Sequence, residues 1–249
     1  MRPLPLLGVL VLLQVYTGSR AGVVSTRHHQ LGEEDGAAAV SVHNGAKAAL
    51  GQFPWMLAVV ADGAAFCGGA IIAEDWALTS GHCVDGMHSF WVTAGSLLSQ
   101  DGDEPSRQQF YTTTSFRHPT YNARFKDNDI GLIHLNAAFT YDHCDPDVSP
   151  DLMFAELQVS PGRVCYDFYG SAWLLNKLCV ATGGDGKSSC RGDGGSPLAL
   201  READGNWTVV GVASFGAADG CTLGLPVVFT RVASFLAFVE EVTAIEARN

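Results

Sequence analysis

Ala77-Leu78-Thr79-Ser80-Gly81-His82-Cys83 ends a short apolar run on a histidine and a cysteine. Two later segments answer it. Asp127-Asn128-Asp129-Ile130-Gly131-Leu132-Ile133 puts an aspartate at the head of an apolar strand, and Cys190-Arg191-Gly192-Asp193-Gly194-Gly195-Ser196-Pro197 is a glycine-rich loop behind a cysteine. Taken singly these are a satisfied histidine, a turn aspartate and a loop. Their order and spacing together are specific.

Around them, short apolar runs alternate with turn signals. Met56 to Val60, Gly69 to Ile72, Phe90 to Ala94, Ile130 to Leu135 and Thr208 to Ser214 read as strands. Asp62-Gly63, Asp85-Gly86 and Asp204-Gly205 supply turns between them. Many short strands with little helix predict an antiparallel barrel or sandwich. One helix is expected near the end, where Phe235, Phe238, Val239, Val242 and Ile245 recur at helical spacing with Glu240 and Glu241 opposite.

The composition agrees. Of 249 residues, 47% are hydrophobic and 16% charged, with 28 Gly and 10 Pro, the profile of a compact turn-rich β protein. Arg2, the apolar stretch Leu4 to Val15 and the small residues Thr17, Gly18, Ser19 and Ala21 read as a secretory signal cut near Ser19 to Ala21. Residues 22–41 are small, polar and acidic and read as an unpacked, propeptide-like leader, leaving 42–249 as the folded domain. No later run reaches the roughly eighteen apolar residues of a membrane span.

The net charge is −11, and loss of Arg2 and Arg20 with the signal leaves 13 basic against 26 acidic groups. Such a surface repels nucleic acid, heparin-like polyanions and anionic membranes. Seven cysteines in an exported chain predict disulfides with one thiol left over. No Cys-x-x-Cys or His-x-x-x-His pattern points to a metal, and no cofactor is expected. Asn206-Trp207-Thr208 is an acceptor for N-glycosylation.

The three opening segments resemble the trypsin/chymotrypsin family of secreted serine proteases, over roughly Val42 to Ile245. Gly51-Gln52-Phe53-Pro54-Trp55 and Phe66-Cys67-Gly68-Gly69 extend the likeness. His118-Pro119-Thr120-Tyr121-Asn122, Asn128 to Ile133, Ser214-Phe215-Gly216 and Phe229-Thr230-Arg231-Val232 are most similar to its arthropod chymotrypsin and collagenase-like branch. The resemblance implies an all-β fold of two packed antiparallel β-barrels with a C-terminal helix. It assigns His82 as the base and Asp129 as its orienter, with the amides of Gly192 and Gly194 as the oxyanion hole. The three disulfides it implies are Cys67–Cys83, Cys165–Cys179 and Cys190–Cys221.

Against that pattern the chain departs at the nucleophile. The family has Gly-Asp-Ser-Gly-Gly-Pro; here Gly192-Asp193-Gly194-Gly195-Ser196-Pro197 puts a glycine in the serine's place. Ser196 lies two residues on, up to roughly 6–7 Å away along an extended chain, whereas a nucleophile sits within roughly 3 Å of its base. Losing a triad serine costs on the order of 10⁶ in turnover, or roughly 8 kcal/mol of barrier.

Other departures follow. The family's activated terminus is Ile-Val-Gly-Gly, freed after a basic residue; here Ser41 precedes Val42-His43-Asn44-Gly45, so Asp193 is expected to lack its charged partner. The pocket floor aligns with Ser188, which excludes a preference for Lys or Arg. Gly216 leaves the entrance open, and Val227 narrows the other wall.

Between Asp129 and Cys165 a Gly-Trp-Gly segment with its cysteine is absent, as is that cysteine's partner, expected near Leu200. The second barrel is therefore expected to lack one strand, leaving an open edge along Phe154 to Val159. A genuine short variant and a skipped exon explain this equally. Cys144 is left unpaired or bonded to another chain. Arg191-Gly192-Asp193 spells an integrin-type triplet, for which the family loop is the simpler explanation.

The expected function is that of a secreted, non-catalytic protease homologue, a binding, cofactor or decoy protein with an extracellular partner in a protease cascade. The alternatives are an active endopeptidase of chymotrypsin- or elastase-like specificity, through Ser196 or an error in the sequence, and a product that does not fold stably.

Overall fold

The computed structural model describes residues 20–26, 42–97, 104–140, 152–170, 176–182, 186–217 and 220–247. Cys144, the apolar part of the signal and most of the leader lie outside the described residues. In chain order the strands are β1 (Arg20–Thr26), β2 (Ala46–Lys47), β3 (Met56–Ala61), β4 (Ala65–Ala73), β5 (Trp76–Thr79), β6 (Phe90–Ala94), β7 (Gln108–Thr112), β8 (Thr114–Arg117) and β9 (Gly131–His134). They continue as β10 (Leu152–Ser160), β11 (Lys177–Ala181), β12 (Pro197–Arg201), β13 (Trp207–Phe215) and β14 (Val227–Arg231). Three short helices interrupt them: α1 (Gly81–Val84), α2 (Gly162–Tyr169) and α3 (Leu236–Thr243).

The chain is mostly β, in two antiparallel sheets with a short C-terminal helix, as the sequence implies. The first sheet runs β7-β6-β3-β4-β5-β9-β8. Its β3–β4 hairpin turns through Asp62 and Gly63, both at positive φ (49° and 69°), a conformation that glycine takes without a side-chain clash. Leu57, Val59, Phe90, Val92, Ile133 and Leu135 fill its interior. In the second sheet, Leu157, Val180, Leu198, Val227 and Phe229 do the same. Burying each such side chain stabilises the fold by about 1.5–3 kcal/mol before chain entropy is set against it. Phe235 and Phe238 lock α3 and the preceding 3₁₀ turn (Val232–Phe235) onto Ile72, Leu78, Ile130 and Leu132.

The expected open edge is not there. Between β9 and α2 the described residues supply one strand, β10, which agrees with a shortened segment. Its exposed side is covered by β1, which pairs with it from Arg20↔Gln158 to Thr26↔Leu152. β1 also pairs with β12 at Gly22↔Ala199 and Val23↔Leu198. The ring β1-β12-β13-β14-β11-β10 therefore closes, with β2 paired outside it on β10. Residues read from the sequence as the end of a signal and the start of a leader take the place of the absent strand. The physical reason is that β10 and β12 each present a row of unpaired backbone groups, and an extended segment of the same chain satisfies both rows at once.

Helix α2 was not anticipated. It buries only Cys165, while Tyr166 and Phe168 are exposed. The Cys165–Cys179 disulfide and Tyr169, which packs on Cys165, Cys179 and Val228, hold it to the second sheet.

A chain beginning at Arg27 loses β1, whereas one beginning at Ala21 keeps nearly all of it. The shorter chain is expected to melt lower by about 2 kcal/mol or more, roughly 4–8 °C at this length, and to associate at micromolar concentration through its opened edges. Thermal unfolding and light scattering on the two chains check this.

Candidate functional site

His82 stands on α1, in the crevice between the sheets, and Asp129 one residue ahead of the apolar pair Ile130 and Gly131 that leads into β9. Asp129 is 0% exposed. Its Oδ2 accepts from His82 Nδ1 at 2.9 Å and from Ser214 Oγ at 2.6 Å, and its Oδ1 accepts from the His82 backbone N–H at 2.7 Å. Thr230 Oγ1 donates to the Asp129 carbonyl at 2.8 Å. An ionised carboxylate only accepts, so Nδ1 is the donor in this bond and Nε2 is the ring nitrogen turned away from Asp129. That ring is 23% exposed and lines the cleft. Ser214 and Thr230 are partners that the sequence does not reveal; Ser214 ends a predicted strand, Thr230 lies outside every predicted strand, and nothing local marks either small hydroxyl residue.

Nε2 faces Gly194. A β-carbon built on Gly194 would lie 2.5 Å from His82 Nε2 and 3.1 Å from Cε1, so the imidazole occupies space that a serine side chain would need. The other neighbour of Nε2 is Ser80 Oγ, 3.4 Å away, and Ser80 lies closer to Cys83 Sγ, at 2.9 Å.

The loop around Gly194 is built by its own amides. Asp193 N–H donates to Cys190 O, Gly195 N–H to Ala213 O and Ser196 N–H to Asp193 O, while Gly68 N–H donates to Gly194 O. Gly192 sits at φ +91°. The N–H groups of Gly192 and Gly194 have no acceptor among the described residues, and both glycines line the cleft. Two unpartnered donors beside an imidazole are suited to holding a carbonyl oxygen or an anion.

The Asp193 carboxylate is held by backbone N–H groups. It is 1% exposed, and its Oδ2 accepts from the Val42 backbone N–H at 3.0 Å and from Cys190 N–H at 2.6 Å. The Val42 donor is a peptide N–H of the uncut chain, with Val42 buried at φ +50°. Burial of Asp193 also removes the Arg191-Gly192-Asp193 triplet as a ligand, since its carboxylate is turned inward.

Ser196 is 0% exposed. Its hydroxyl has no partner among the described residues and lies against Gly68, where a built β-carbon would come within 2.2 Å of Oγ. It is absent from the lining of the cleft that His82 faces.

The cleft holds about 670 Å³. Ser188 is buried at its base; its backbone pairs with His43, and its Oγ donates to Ser189 O at 3.1 Å. Gly216 and Val227 line opposite sides, a β-carbon on Gly216 meeting Val227 Cγ1 at 3.3 Å. The three disulfides join the pairs implied by the sequence, Cys67–Cys83, Cys165–Cys179 and Cys190–Cys221. Cys67, His82 and Cys83 cluster closely, but the two sulfurs are bonded to each other and offer no thiolate to an ion. Asn206 is exposed on the β12–β13 turn, its Nδ2 donating to Asp204 Oδ2 at 2.7 Å. No helix among the described residues is long and apolar enough to cross a membrane.

Lys177 went unnoticed in the sequence, although a lone lysine heading the apolar run Leu178-Cys179-Val180 is a usable signal. It is 1% exposed, with Nζ donating to Phe125 O (3.1 Å) and Asp127 Oδ1 (3.2 Å) and lying 5.0 Å from the Phe215 ring centre. Burial pulls its pKa down, and the Asp127 hydrogen bond and charge only partly oppose this. Together with Asn176 Nδ2, which donates to Asn128 Oδ1 at 2.8 Å, it ties β11 to the loop that carries Asp129.

The trypsin family profile matches residues 42–150 and 148–239. Proproteinase E of Bos taurus is 32% identical over 214 residues, 72% of this chain and 83% of its own length. Chymotrypsin-like elastase family member 3B of Homo sapiens is 32% identical over 244 residues, 82% of this chain and 89% of its own. Among solved structures, HL collagenase at 1.7 Å resolution superposes with a TM-score of 0.72 at 27% identity, over 82% of this chain and 99% of that one.

Two outcomes follow from the buried charges. Asp193→Ala strips the acceptor from two buried N–H groups and is expected to destabilise the fold by about 3 kcal/mol or more, read as a lower denaturant midpoint with faster proteolysis near residues 186–192. For Lys177, the unfolded chain binds more protons than the folded one at pH values between the lowered pKa and the ordinary 10.5. Its penalty is therefore full below that window and relieved as pH rises through it. Stability of the wild type relative to Lys177→Met should rise across those pH values, measured by paired denaturant melts.

Proposed function

The chain belongs to the trypsin family of chymotrypsin-fold serine proteases, and from that premise we propose that it is a non-cleaving member which holds an extracellular polypeptide in its cleft. The observation that carries this reading is Gly194 at the nucleophile position, with His82 Nε2 in the space a serine side chain would take. A base without a hydroxyl to deprotonate cannot form the acyl-serine on which peptide cleavage depends. His82 and Asp129 are the remnant base and orienter, and the amides of Gly192 and Gly194 are the remnant oxyanion hole.

What the site keeps is a means of binding. The cleft along Ser188, Gly216 and Val227 suits a small or medium apolar side chain. The two free N–H groups donate to the carbonyl oxygen that follows it. Occupied in this way, the protein acts as a decoy, cofactor or partner within a proteolytic cascade. The secretory signal and the three disulfides support an extracellular site of action, with Asn206 as its glycosylation site and Cys144 as a thiol open to a partner chain. The mature chain is taken to begin near Ser19 to Ala21, which retains most of β1. From the segments quoted between His118 and Val232 we further infer a place in the arthropod chymotrypsin and collagenase-like branch.

The secreted protein is expected to leave peptide p-nitroanilides intact and to take no label from a serine-directed phosphonate, with Ser196→Ala changing neither result. Gly194→Ser should gain phosphonate labelling once His82 rotates away from the new side chain. Cleavage or labelling in the wild type would sink the reading.

A further inference from the structure

The position of the His82 ring does more than mark an absence. Nε2 lies 2.5 Å from a β-carbon built on Gly194, so this nitrogen sits where the missing hydroxyl would have been aimed. Asp129 Oδ2 engages Nδ1 at 2.9 Å, which leaves Nε2, with Ser80 Oγ 3.4 Å away, as the ring nitrogen available to a bound carbonyl. Nε2 opens onto a cleft lined by the two unpartnered N–H donors of Gly192 and Gly194. A carbonyl whose oxygen rests on those donors presents its carbon to Nε2.

The geometry points to His82 as a nucleophile toward activated acyl compounds, aryl esters and thioesters in particular. In the first step the Nε2 lone pair forms a bond to the acyl carbon, and the carbonyl electrons move onto the oxygen held by Gly192 and Gly194. Collapse breaks the bond to the leaving group, which departs as a phenolate or thiolate, and the positive acyl-imidazole faces the Asp129 carboxylate. Water then adds to the acyl carbon and gives a proton to solvent. The carbon–nitrogen bond breaks, and the carboxylic acid and the neutral ring are released. The net reaction is ester plus water to acid plus alcohol or thiol, with no other reactant.

The same chemistry explains why peptides are spared, and the inference rests on the non-cleaving reading above. Imidazole, whose conjugate acid has a pKa of about 6.5, leaves a tetrahedral adduct as a neutral ring, whereas the α-amine of a peptide, with a conjugate acid near about 7.7–8.0, would have to leave as an amide anion unless a proton reaches it. An amide adduct therefore expels imidazole and reverts. Cleavage would need a proton donated to the departing amine, and the group that does this in the family is the ring already committed to the carbon.

The experiment follows p-nitrophenyl acetate with the full secreted protein, combining release of nitrophenolate with acid quench, digestion and mass mapping of acetyl groups. His88, whose side chain is 87% exposed, serves as an internal reference. Two aligned donors correspond to about 10² in rate, so His82 should be acetylated about 100-fold faster than His88. The burst should vanish in His82→Gln. It should fall at least about tenfold in Gly194→Ala, whose β-carbon displaces the ring while leaving the Asp129 bonds to hold the fold. Acetylation confined to lysines, His82 reacting no faster than His88, or a burst that survives Gly194→Ala would each overturn the proposal. A peptide p-nitroanilide run in parallel separates the two readings: its hydrolysis would overturn the non-cleaving function, whereas failure of the ester arm alone overturns only the nucleophile.

Discussion

The carboxylate of Asp129 is wholly removed from water and is stable there only because three donors converge on it. His82 contributes its backbone N–H and its Nδ1–H, and Ser214 its hydroxyl; Thr230 binds the carbonyl of the same residue. Asp129 and His82 belong to the first sheet, Ser214 and Thr230 to the second. A buried charge that lost these partners would cost several kcal/mol, so the two sheets are held in one register by the need to satisfy it. Lys177 and Asn176 reinforce that joint from the second sheet by gripping Phe125, Asp127 and Asn128, just ahead of Asp129.

A second buried carboxylate, that of Asp193, organises the loop behind the cleft. Hydrogen bonds from Val42 and Cys190 pin it, and with Asp193 fixed, the turn places the N–H groups of Gly192 and Gly194 toward the cleft. A peptide N–H is a weaker partner than an ammonium group, yet it lies at 3.0 Å and excludes water equally well. The uncut chain thereby reaches an assembled loop without a new terminus. Relaxed demand for a basic residue before Val42 is consistent with that.

Much of this was legible in the sequence, and the failures have physical causes. The strands carry their own evidence: alternating or continuous apolar runs bounded by Asp-Gly turns gave β3, β4, β6, β9 and β13 to within a few residues. The disulfides and the His82–Asp129 juxtaposition came from the likeness to a known pattern, since no local property of either residue reveals a partner 47 positions away. β1 was unreadable because small residues such as Ala21, Gly22 and Ser25 have no packing signature; its place is dictated by the unsatisfied edges of β10 and β12, which exist only in three dimensions. Lys177 and Ser214 were missed for a related reason, their roles being set by what lies across a barrel from them. The orientation of Ser196 was not readable either, because two residues of separation fix a distance limit but not a direction.

Retention of His82 and Asp129 beside Gly194 is usually taken as a trace of catalysis, but the contacts give an explanation that needs none. A side chain at 194 would face His82 Nε2, an atom on the cleft side of a ring that is 23% exposed. Removing the serine hydroxyl therefore strands no buried polar group, and the imidazole moves into the space. Removing His82 instead would take a hydrogen bond from a carboxylate with no access to water. Removing Asp129 would leave Ser214 and the His82 N–H groups without their acceptor. Stability alone thus favours His82 and Asp129 and places no such demand on position 194. The imidazole and the two free amides persist as consequences of folding, and whatever reactivity they have toward a bound carbonyl follows from that persistence.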